Sequence, residues 1–281
     1  MSRRTKGWLI AAVCLVLVGG ILFTGVMTVL KWNFRKLATD KYETNTYTIT
    51  DAFTNISVDV NTADVVLAPS ADGTVSVVCH EEIQAKHSVT VEGETLVIKA
   101  KDSRKWYQKI GFHLSGPKVT ICLPAGAYGA LTMKVTTGDI TIPKAFSFAS
   151  MDLKVTTGDI TCSADVAGDV TLKNTTGDVK VSSMTCRQFT STGTTGDITL
   201  RDVIATDTFF IKRSTGDVSF AACDAASLTV KTTTGDITGS LLTAKVFDAH
   251  ATTGNVSVPQ TTTGGSCKLS ATTGNIMITI Q

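Results

Sequence analysis

The chain has 281 residues, of which 43% are apolar and 18% are charged, and its formal net charge is +2. This much apolar surface excludes an intrinsically disordered chain, and 23 glycines with only 5 prolines exclude collagen. The near-neutral charge is unlike that of a dedicated nucleic-acid binder, which carries a strong basic excess. We therefore expect a folded chain of one or two domains without a nucleic-acid partner.

Residues 7–30 form an uninterrupted run of 24 residues without a charged side chain. As a helix this run would measure about 36 Å, enough to cross a hydrocarbon core of about 30 Å. A cleaved signal peptide has a shorter apolar region, of about 7–15 residues, followed by a small-residue cleavage site. Because this run is longer and no A-x-A site follows it, the sequence favours an uncleaved transmembrane helix. A cleaved signal peptide is the alternative.

Basic residues flank this helix on both sides, so counting positive charges does not decide its orientation. We place residues 1–6 in the cytoplasm and the C-terminal domain outside the cell, because its threonine-rich repeats suit an exterior surface. The predicted localisation is the cell membrane, with a single membrane pass. The basic juxtamembrane segment 31–46 lies against anionic lipid or wall polymer, or is a solvated linker. Trp32 and Phe34 are candidate anchors at the lipid headgroups.

The second half of the chain repeats with a period of 19 or 20 residues, marked by eight copies of Thr-Gly-Asp or Thr-Gly-Asn. Apolar residues alternate with Thr, Ser and Lys on both sides of each copy, which indicates two short strands joined by a tight turn. Glycine supplies a positive φ at this turn, and the following Asp or Asn bonds the backbone there. The structural turn glycines are Gly138, Gly158, Gly177, Gly196, Gly216, Gly235, Gly254 and Gly274.

A unit of about 20 residues cannot bury its apolar face alone, so the repeats must stack on one another. Equivalent positions keep their chemical type in all copies, as they must where like residues stack at about 4.8 Å. We therefore predict an all-β fold: a single-stranded parallel β-helix, or β-solenoid, with one repeat per coil over residues 131–281. Hairpins with TTGD turns, folded into a sandwich or barrel, are the alternative.

Residues 47–130 resemble degenerate coils that cap the solenoid. Residues 56–60 followed by 62–67 repeat the coil pattern without its glycine. At the other end, the last strand closes with Ile276, Ile278 and Ile280 and has no polar cap. We expect this final coil to form the exposed end of the rod, available to a partner or a second copy.

Several phrases of the sequence resemble one known family. They are ISVDV at 56–60 with ADVVL at 63–67, VTICLP at 119–124, and the repeated KVTTGDIT. From about residue 49 to its C-terminus, the chain is similar to the bacterial putative-adhesin family of β-strand-repeat proteins, a domain of unknown function. Its members resemble the membrane-anchored G component of Lia-type cell-envelope-stress operons. The resemblance implies a membrane-anchored β-solenoid that faces outward in a Gram-positive-type bacterium, with no catalytic residues to carry over.

Most of the seven cysteines fall at apolar positions, which favours buried free thiols over disulfides. Cys79 and Cys122, both in the capping region, are a candidate pair. No C-x-x-C motif is present and the histidines show no metal-ligand spacing, so we predict no metal and no cofactor. The histidines are His80, His87, His113 and His250.

An aspartate ladder follows the turn glycines, with Asn255 and Asn275 in its last two copies. Carboxylates stacked about 4.8 Å apart repel by about 0.9 kcal/mol per pair in water, and bound Ca²⁺ would relieve that repulsion. The alternative is that each Asp bonds the turn backbone and stays solvated, since calcium rolls have a shorter period and more glycine. The ladder consists of Asp139, Asp159, Asp178, Asp197, Asp217 and Asp236.

A lysine ladder stands four residues before the glycines and is interrupted at Thr192. This stripe could bind an anionic wall polymer such as teichoic acid, or it could simply keep the protein soluble and prevent sheet-to-sheet aggregation. Residues 101–113 interleave basic and aromatic side chains, which indicates either a loop that binds membranes or sugars or an insertion packed on the cap. The lysine ladder consists of Lys134, Lys154, Lys173, Lys212 and Lys231.

No G-x-S-x-G, P-loop or H-E-x-x-H motif is present, and the polar residues form ladders of one type. We therefore predict a non-enzymatic, membrane-anchored, outward-facing β-solenoid that presents a binding surface in the bacterial cell envelope, for adhesion or the envelope-stress response. The expected partners are the membrane and a wall polymer or envelope protein, and self-association through the coil end is a further expectation. The alternatives are a cytoplasm-facing scaffold that polymerises end to end and a carbohydrate-active β-helix enzyme.

Overall fold

A computed structural model describes residues 3–32, 41–102 and 116–281. The chain divides into two compact units, one of residues 1–41 with 104–115 and one of residues 42–103 with 116–281. The first unit contains the single described helix, and the second contains every described strand.

The helix α1 spans Arg3–Val29. Its stretch Lys6–Val29 is long and apolar enough to cross a membrane, and a signal sequence near the N-terminus has the same properties. This agrees with the predicted span 7–30 to within one residue at each end. Phe34 and residues 33–40 of the predicted linker lie outside the described residues.

All strands of the second unit belong to one 21-stranded sheet. Its strands are β1 Tyr42–Ile49, β2 Asn55–Thr62, β3 Asp64–Pro69, β4 Val75–Glu82, β5 Ala85–Glu92, β6 Thr95–Asp102, β7 Lys118–Leu123, β8 Gly126–Thr137, β9 Ile140–Ile142, β10 Phe146–Thr157, β11 Ile160–Cys162, β12 Asp165–Val166, β13 Asp169–Thr176, β14 Val179–Thr195, β15 Ile198–Thr215, β16 Val218–Thr234, β17 Ile237–Leu241, β18 Lys245–Thr253, β19 Val256–Ser257, β20 Gly265–Thr273 and β21 Ile276–Ile280.

The repeats stack as parallel coils, with equivalent residues directly opposite one another. Before the turn glycine, Lys154 pairs with Lys134, and after it Ile160 pairs with Ile140. A third segment of each coil stacks in the same way, as Cys186 on Ala205. These parallel registers confirm the predicted β-solenoid, and the hairpin alternative is wrong because its strands would pair antiparallel.

The core runs through the middle of the coils and consists of the inward positions of every strand. Side chains alternate between buried and outward positions along each strand, as in Ile160–Cys162 and Ile198–Leu200. Ile140, Ile160 and Ile198 are fully buried. Each coil therefore completes the apolar surface of its neighbours, and no coil has a core of its own.

Gly177 shows why the turn accepts only glycine. Its φ is +128°, and a Cβ at this position would lie 2.6 Å from the carbonyl carbon of Gly158 in the preceding coil. The amide of Gly177 also donates to the carbonyl of Thr195 in the following coil. Neighbouring coils thus approach backbone to backbone at this corner, which leaves no room for a side chain.

At the N-terminal end, the order of the coils departs from their order in the chain. β2 lies between β6 and β8, and β3 lies between β7 and β9. β5 pairs antiparallel with β6, β4 with β7, and β1 with β4. Among the described residues of the predicted capping region 47–130, β2–β3 and β6–β7 are therefore degenerate coils, whereas β1, β4 and β5 pair antiparallel. These antiparallel strands cover the backbone edges of the outermost coil, which would otherwise be free to pair with another chain.

β1 begins at Tyr42, inside the range 31–46 that we predicted as a linker. Its eight residues all pair with β4, so the backbone hydrogen bonds of residues 42–46 are made within the sheet. The predicted boundary at residue 47 therefore lies five residues inside a strand. We call the region formed by β1 to β7 the cap.

At the C-terminal end, the last two coils exchange places. β20 lies between β16 and β18, and β21 lies between β17 and β19. The chain enters this inserted coil through Gly264 and Gly265. A Cβ on Gly265 would lie 3.0 Å from the carbonyl carbon of Ala226, and one on Gly264 would lie 2.5 Å from that of Ala244. Glycine is therefore required where the last coil slips between the two others.

This exchange overturns the prediction that Ile276, Ile278 and Ile280 form the exposed end. Ile276 is fully buried and Ile278 is 4% exposed, because their coil is covered on both sides. The outermost coil is that of β18 and β19, where Val256 is 42% exposed at a position that is buried in the inner coils. The coil with three isoleucines after its turn is thus placed inside, and the coil with two valines after its turn is placed outside.

Candidate functional site

The aspartate ladder is a chain of hydrogen bonds between coils. Each aspartate amide donates to Oδ1 of the aspartate in the preceding coil, as from Asp178 to Asp159 at 2.8 Å and from Asp197 to Asp178 at 3.0 Å. The ladder begins at Asp64 in β3, which accepts from the amide of Asp139. It ends in the exchanged coils, where Asn275 donates to Asp236 and Asn255 donates to Asn275.

The side chains of this ladder therefore complete the backbone bonding of the turn. The sequence predicted that each Asp would accept a hydrogen bond from the backbone of its own turn. In the structure, its carboxylate oxygen instead accepts from the backbone amide of the Asp in the next coil. An asparagine oxygen performs the same task, which explains the two asparagines in the last copies. Within the described residues, these carboxylates do not come together in groups of three potential metal ligands. Calcium binding by this ladder stays a prediction.

The lysine ladder lies in register on the outer face of the strands that precede the glycines. Lys134, Lys154 and Lys173 stack on successive coils, Thr192 follows, and Lys212 stacks on Lys231. A shallow groove of about 550 Å³ runs along the first four lysines and the neighbouring hydroxyl row. That row consists of Thr136, Thr156, Thr175, Thr194 and Ser214.

The charges of the lysine ladder are only partly compensated. Lys134 lies 3.5 Å from Asp59, and Lys154 lies 3.1 Å from Asp152, in both cases at exposed positions. Lys173 and Lys212 make no ion pair with any described residue. Like charges about 4.8 Å apart repel one another, so this face has an excess of positive charge that a polyanion would reduce.

A buried guanidinium lies behind the interruption of the lysine ladder. Arg213 is 1% exposed, and its Nη1 occupies the space where a side chain of Gly193 would stand. Nη1 donates to the carbonyl of Asn174 at 3.4 Å, but Nε and Nη2 have no acceptor among the described residues. Burial lowers the pKa of Arg213, and the negative charges of Asp178 and Asp197 oppose this change. Arg213 is the only arginine at an inward position of these coils, and its guanidinium fills the space beside Gly193, the residue that follows the interruption at Thr192.

The cysteines of the described residues are free thiols. Burial raises the pKa of Cys162 and Cys186 to about 12, so both stay protonated as the prediction of buried thiols requires. The candidate pairing of Cys79 with Cys122 is wrong. Cys79 lies opposite Val119 and faces the core, whereas Cys122 lies opposite Ser76 on the other face of β7.

Sequence reasoning missed a buried polar cluster in the cap. One ligand atom each of Cys79, Glu81 and His87 lies within 4.8 Å of the others, and this is the only such group of three in the described residues. Cys79 and Glu81 are fully buried and His87 is 6% exposed. The strand alternation that puts Cys79 and Glu81 on one face was readable from the sequence. The two-residue turn that brings His87 back beside them was not recognised.

The segment 101–113 was the other candidate binding element of the sequence. Residues 103–115 lie outside the described residues, so its aromatic and basic side chains stay a prediction. His113 falls in the same stretch.

The fold defines the class of this protein: a parallel β-solenoid repeat protein with an N-terminal helix that is a candidate membrane anchor or signal sequence. Its family model matches residues 53–201 and 164–281, and the chain belongs to the Toastrack DUF4097 family. The family description names no reaction. The resemblance to β-strand-repeat adhesins is thereby confirmed, while similarity to the Lia-type G component stays a prediction. A comparison with curated proteins finds no significant match.

Solved structures of similar fold come from several bacteria. A "putative lipid binding protein" from Parabacteroides distasonis matches with a TM-score of 0.53 at 14% identity, covering 86% of this chain and 98% of that one. A "putative adhesin" from Bacteroides fragilis matches with a TM-score of 0.43 at 15% identity, covering 86% of this chain and 99% of that one. At 14% identity the likeness to the Parabacteroides distasonis protein concerns the fold alone.

Proposed function

We propose that this protein is a non-enzymatic binding protein of the bacterial cell envelope, anchored by α1, whose solenoid holds an anionic polymer along the lysine groove. The observation that carries the proposal is the in-register row of lysines beside a row of hydroxyl groups. The partner class is a polymer with repeating phosphate or carboxylate groups, such as teichoic acid.

The dimensions of the groove suit an extended chain better than a compact ligand. From Lys134 to Lys212 the groove crosses five coils, or about 19 Å at the spacing of stacked strands. A polymer with regularly spaced anions can contact several coils at once. Its overall affinity can therefore be high although each single contact is weak.

The hydroxyl row complements the lysines chemically. A threonine or serine hydroxyl can both donate and accept a hydrogen bond, so it can contact a phosphate oxygen or a sugar hydroxyl. Lysine contributes a point charge on a flexible stem and does not impose one geometry. This combination favours an anionic polymer over one particular small molecule.

A binding measurement tests the groove directly. The full chain in detergent micelles is titrated with purified wall teichoic acid and, separately, with a neutral polysaccharide. We expect the triple variant Lys154→Ser, Lys173→Ser and Lys212→Ser to lose at least tenfold in affinity for the anionic polymer. Binding should also weaken as salt is added, because exposed charges are screened within about 10 Å at 0.1 M.

The matched control removes the same charge elsewhere. Lys118→Ser, Lys180→Ser and Arg201→Ser lie outside the groove and leave its row of lysines unchanged. Equal losses in the two triple variants would mean that net charge alone governs binding, and the groove proposal would then be rejected.

The orientation of the anchor requires a separate experiment. Intact cells are treated with protease, and the C-terminal domain is detected with an antibody. Loss of the domain supports an outward-facing solenoid. Survival in whole cells with loss after lysis would contradict it and would favour the cytoplasm-facing scaffold.

A further inference from the structure

The cap contains a cluster of three buried side chains in β4 and β5, two strands that are not part of the parallel coils. Cys79 and Glu81 occupy alternate positions of β4, so both point to the same face of the strand. β4 and β5 are joined through a two-residue turn at residues 83–84, where Glu82 pairs with Ala85, and His87 follows two residues later. The hairpin therefore brings a thiol, a carboxylate and an imidazole together in the interior of the cap.

The three donor atoms are close and shielded from solvent. Nδ1 of His87 lies 2.7 Å from Oε2 of Glu81, and Sγ of Cys79 lies within 4.8 Å of both ligand groups. Donors of a tetrahedral zinc site stand about 3.5 Å apart, given bonds of about 2.0–2.3 Å. Small side-chain rotations are enough to reach that spacing from the present one.

The charges of the cluster favour a divalent cation. A buried carboxylate is costly unless it is paired, and the only ion-pair partner of Glu81 among the described residues is His87. One thiolate, one carboxylate and one neutral imidazole around a divalent ion give a net charge of zero. A divalent ion bound to these three groups would therefore leave no uncompensated charge in the interior of the cap.

Outer hydrogen bonds hold the carboxylate in place. Nδ2 of Asn45 donates to Oε1 of Glu81 at 2.8 Å and also to Glu43, which pairs with Lys86 at 2.6 Å. The backbone amide of His87 donates to Oε2 of the same carboxylate. Hydrogen bonds of this kind, made to the ligands and not to the metal, orient metal ligands in proteins. Here they run from exposed Lys86 through Glu43 and Asn45 to buried Glu81.

We propose that Cys79, Glu81 and His87 form a binding site for a transition-metal ion of the zinc class, which ties β4 to β5 in the cap. The ion replaces the proton on Sγ of Cys79, and that proton is released to solvent. Nδ1 of His87 becomes a ligand through the tautomer that carries its proton on Nε2. Three protein ligands leave a fourth position for a solvent molecule.

Cobalt is the probe for this site. The full chain in detergent micelles is stripped with a chelator and titrated with Co²⁺, which reports a thiolate ligand through a sulfur-to-metal charge-transfer band. We expect one Co²⁺ per chain with this band, displacement by Zn²⁺, and a rise in the melting temperature with Zn²⁺. If the wild-type chain shows no such band, the proposal is overturned, whatever the variants do.

Variants locate the ion. Cys79→Ser should abolish the band, and Glu81→Gln, which keeps hydrogen-bonding atoms in place, should weaken binding at least tenfold. Cys122→Ser and His80→Ala are the matched controls, since Cys122 faces away and His80 stacks on Tyr42 at 5.1 Å outside the cluster. A band that survives Cys79→Ser, or that is lost in Cys122→Ser, contradicts the assignment.

Discussion

The regular coils and the cap bury similar apolar strands but satisfy their polar groups in opposite ways. In the coils, one residue type repeats, and each aspartate oxygen accepts the amide of the next copy. In the cap, the strands turn antiparallel and a single buried network joins Asn45, Glu81 and His87. In the coils, the same hydrogen bond recurs in every copy because the neighbouring coil is always alike. At the end of the stack the neighbours differ, so the polar groups there need hydrogen-bond partners that occur only once.

The same contrast applies to the turn itself. The first coil turns at Ala63, the position equivalent to Gly138, and Ala63 has no positive φ. A Cβ on Gly138 would lie 2.5 Å from the carbonyl carbon of Ala63, so glycine is required where one corner stacks closely on the corner before it. Substitutions in the coils and in the cap test this difference in stacking. They are given in order of the expected change in stability, from the largest to the smallest.

The strongest test places a charge inside a coil. Ile198 is fully buried between Val179 and Val218, so Ile198→Asp buries an unpaired carboxylate and should abolish folding. Thr199→Asp, at the exposed neighbouring position, should change the free energy of unfolding by no more than about 0.5 kcal/mol. Circular dichroism during denaturant titration measures both, and equal losses would contradict the assignment of inward and outward positions.

The next test compares two glycines with positive φ. Gly177→Ala should cost more than about 3 kcal/mol, because the new Cβ meets the backbone of Gly158 and the residue keeps a φ of +128°. Gly93, in the β5–β6 turn of the cap, has a φ of +60° and open space around it. Gly93→Ala should therefore cost only about 1–2 kcal/mol. Similar values from denaturant unfolding would mean that the coils do not require close backbone contact.

A substitution at Arg213, inside the coils, should stabilise the protein, whereas the preceding substitutions destabilise it. Its buried guanidinium has two nitrogen atoms without an acceptor in the described part of the chain, so Arg213→Met should raise the free energy of unfolding by about 1–3 kcal/mol. The melting temperature should rise accordingly. A lower melting temperature in this variant would show that the guanidinium has an acceptor, such as a bound anion.

A smaller effect distinguishes the two possible roles of the aspartate ladder. Asp178→Ala removes the acceptor for the amide of Asp197 and should cost about 1 kcal/mol. Asp178→Asn keeps an acceptor, as Asn275 does for Asn255, and should be nearly neutral. If instead the asparagine variant lost as much stability as the alanine variant, and only when calcium was present, the ladder would be a calcium site.

The smallest effect is expected on the lysine face. Lys173 is exposed and makes no ion pair among the described residues, so Lys173→Ser should change the free energy of unfolding by less than about 0.5 kcal/mol. A thermal melt measures this change. A large loss of stability would mean that the lysine stem covers apolar surface and that the ladder is structural.

Much of this architecture was predictable because its signals are local. A charge-free run at the N-terminus indicates a membrane-length helix, and period-2 alternation around a repeated turn specifies which residues of each coil face inward. The inward positions of Ile140, Ile160 and Ile198 follow from this alternation alone. The parallel stacking follows from the repetition, since only coils in register place like residues on like.

The tertiary structure alone decided the order of the coils and the contents of the cap. The stacking order depends on which coil surfaces cover one another, and no local pattern states that Ile276 lies beneath Val256. In hindsight, the apolar character of the last coil favoured an inner place for it. The approach of Cys79, Glu81 and His87 depends in the same way on a hairpin that folds back into the interior. The alternation along each strand is set by its own backbone, whereas the pairing of distant strands is set by the apolar surface that each arrangement removes from water.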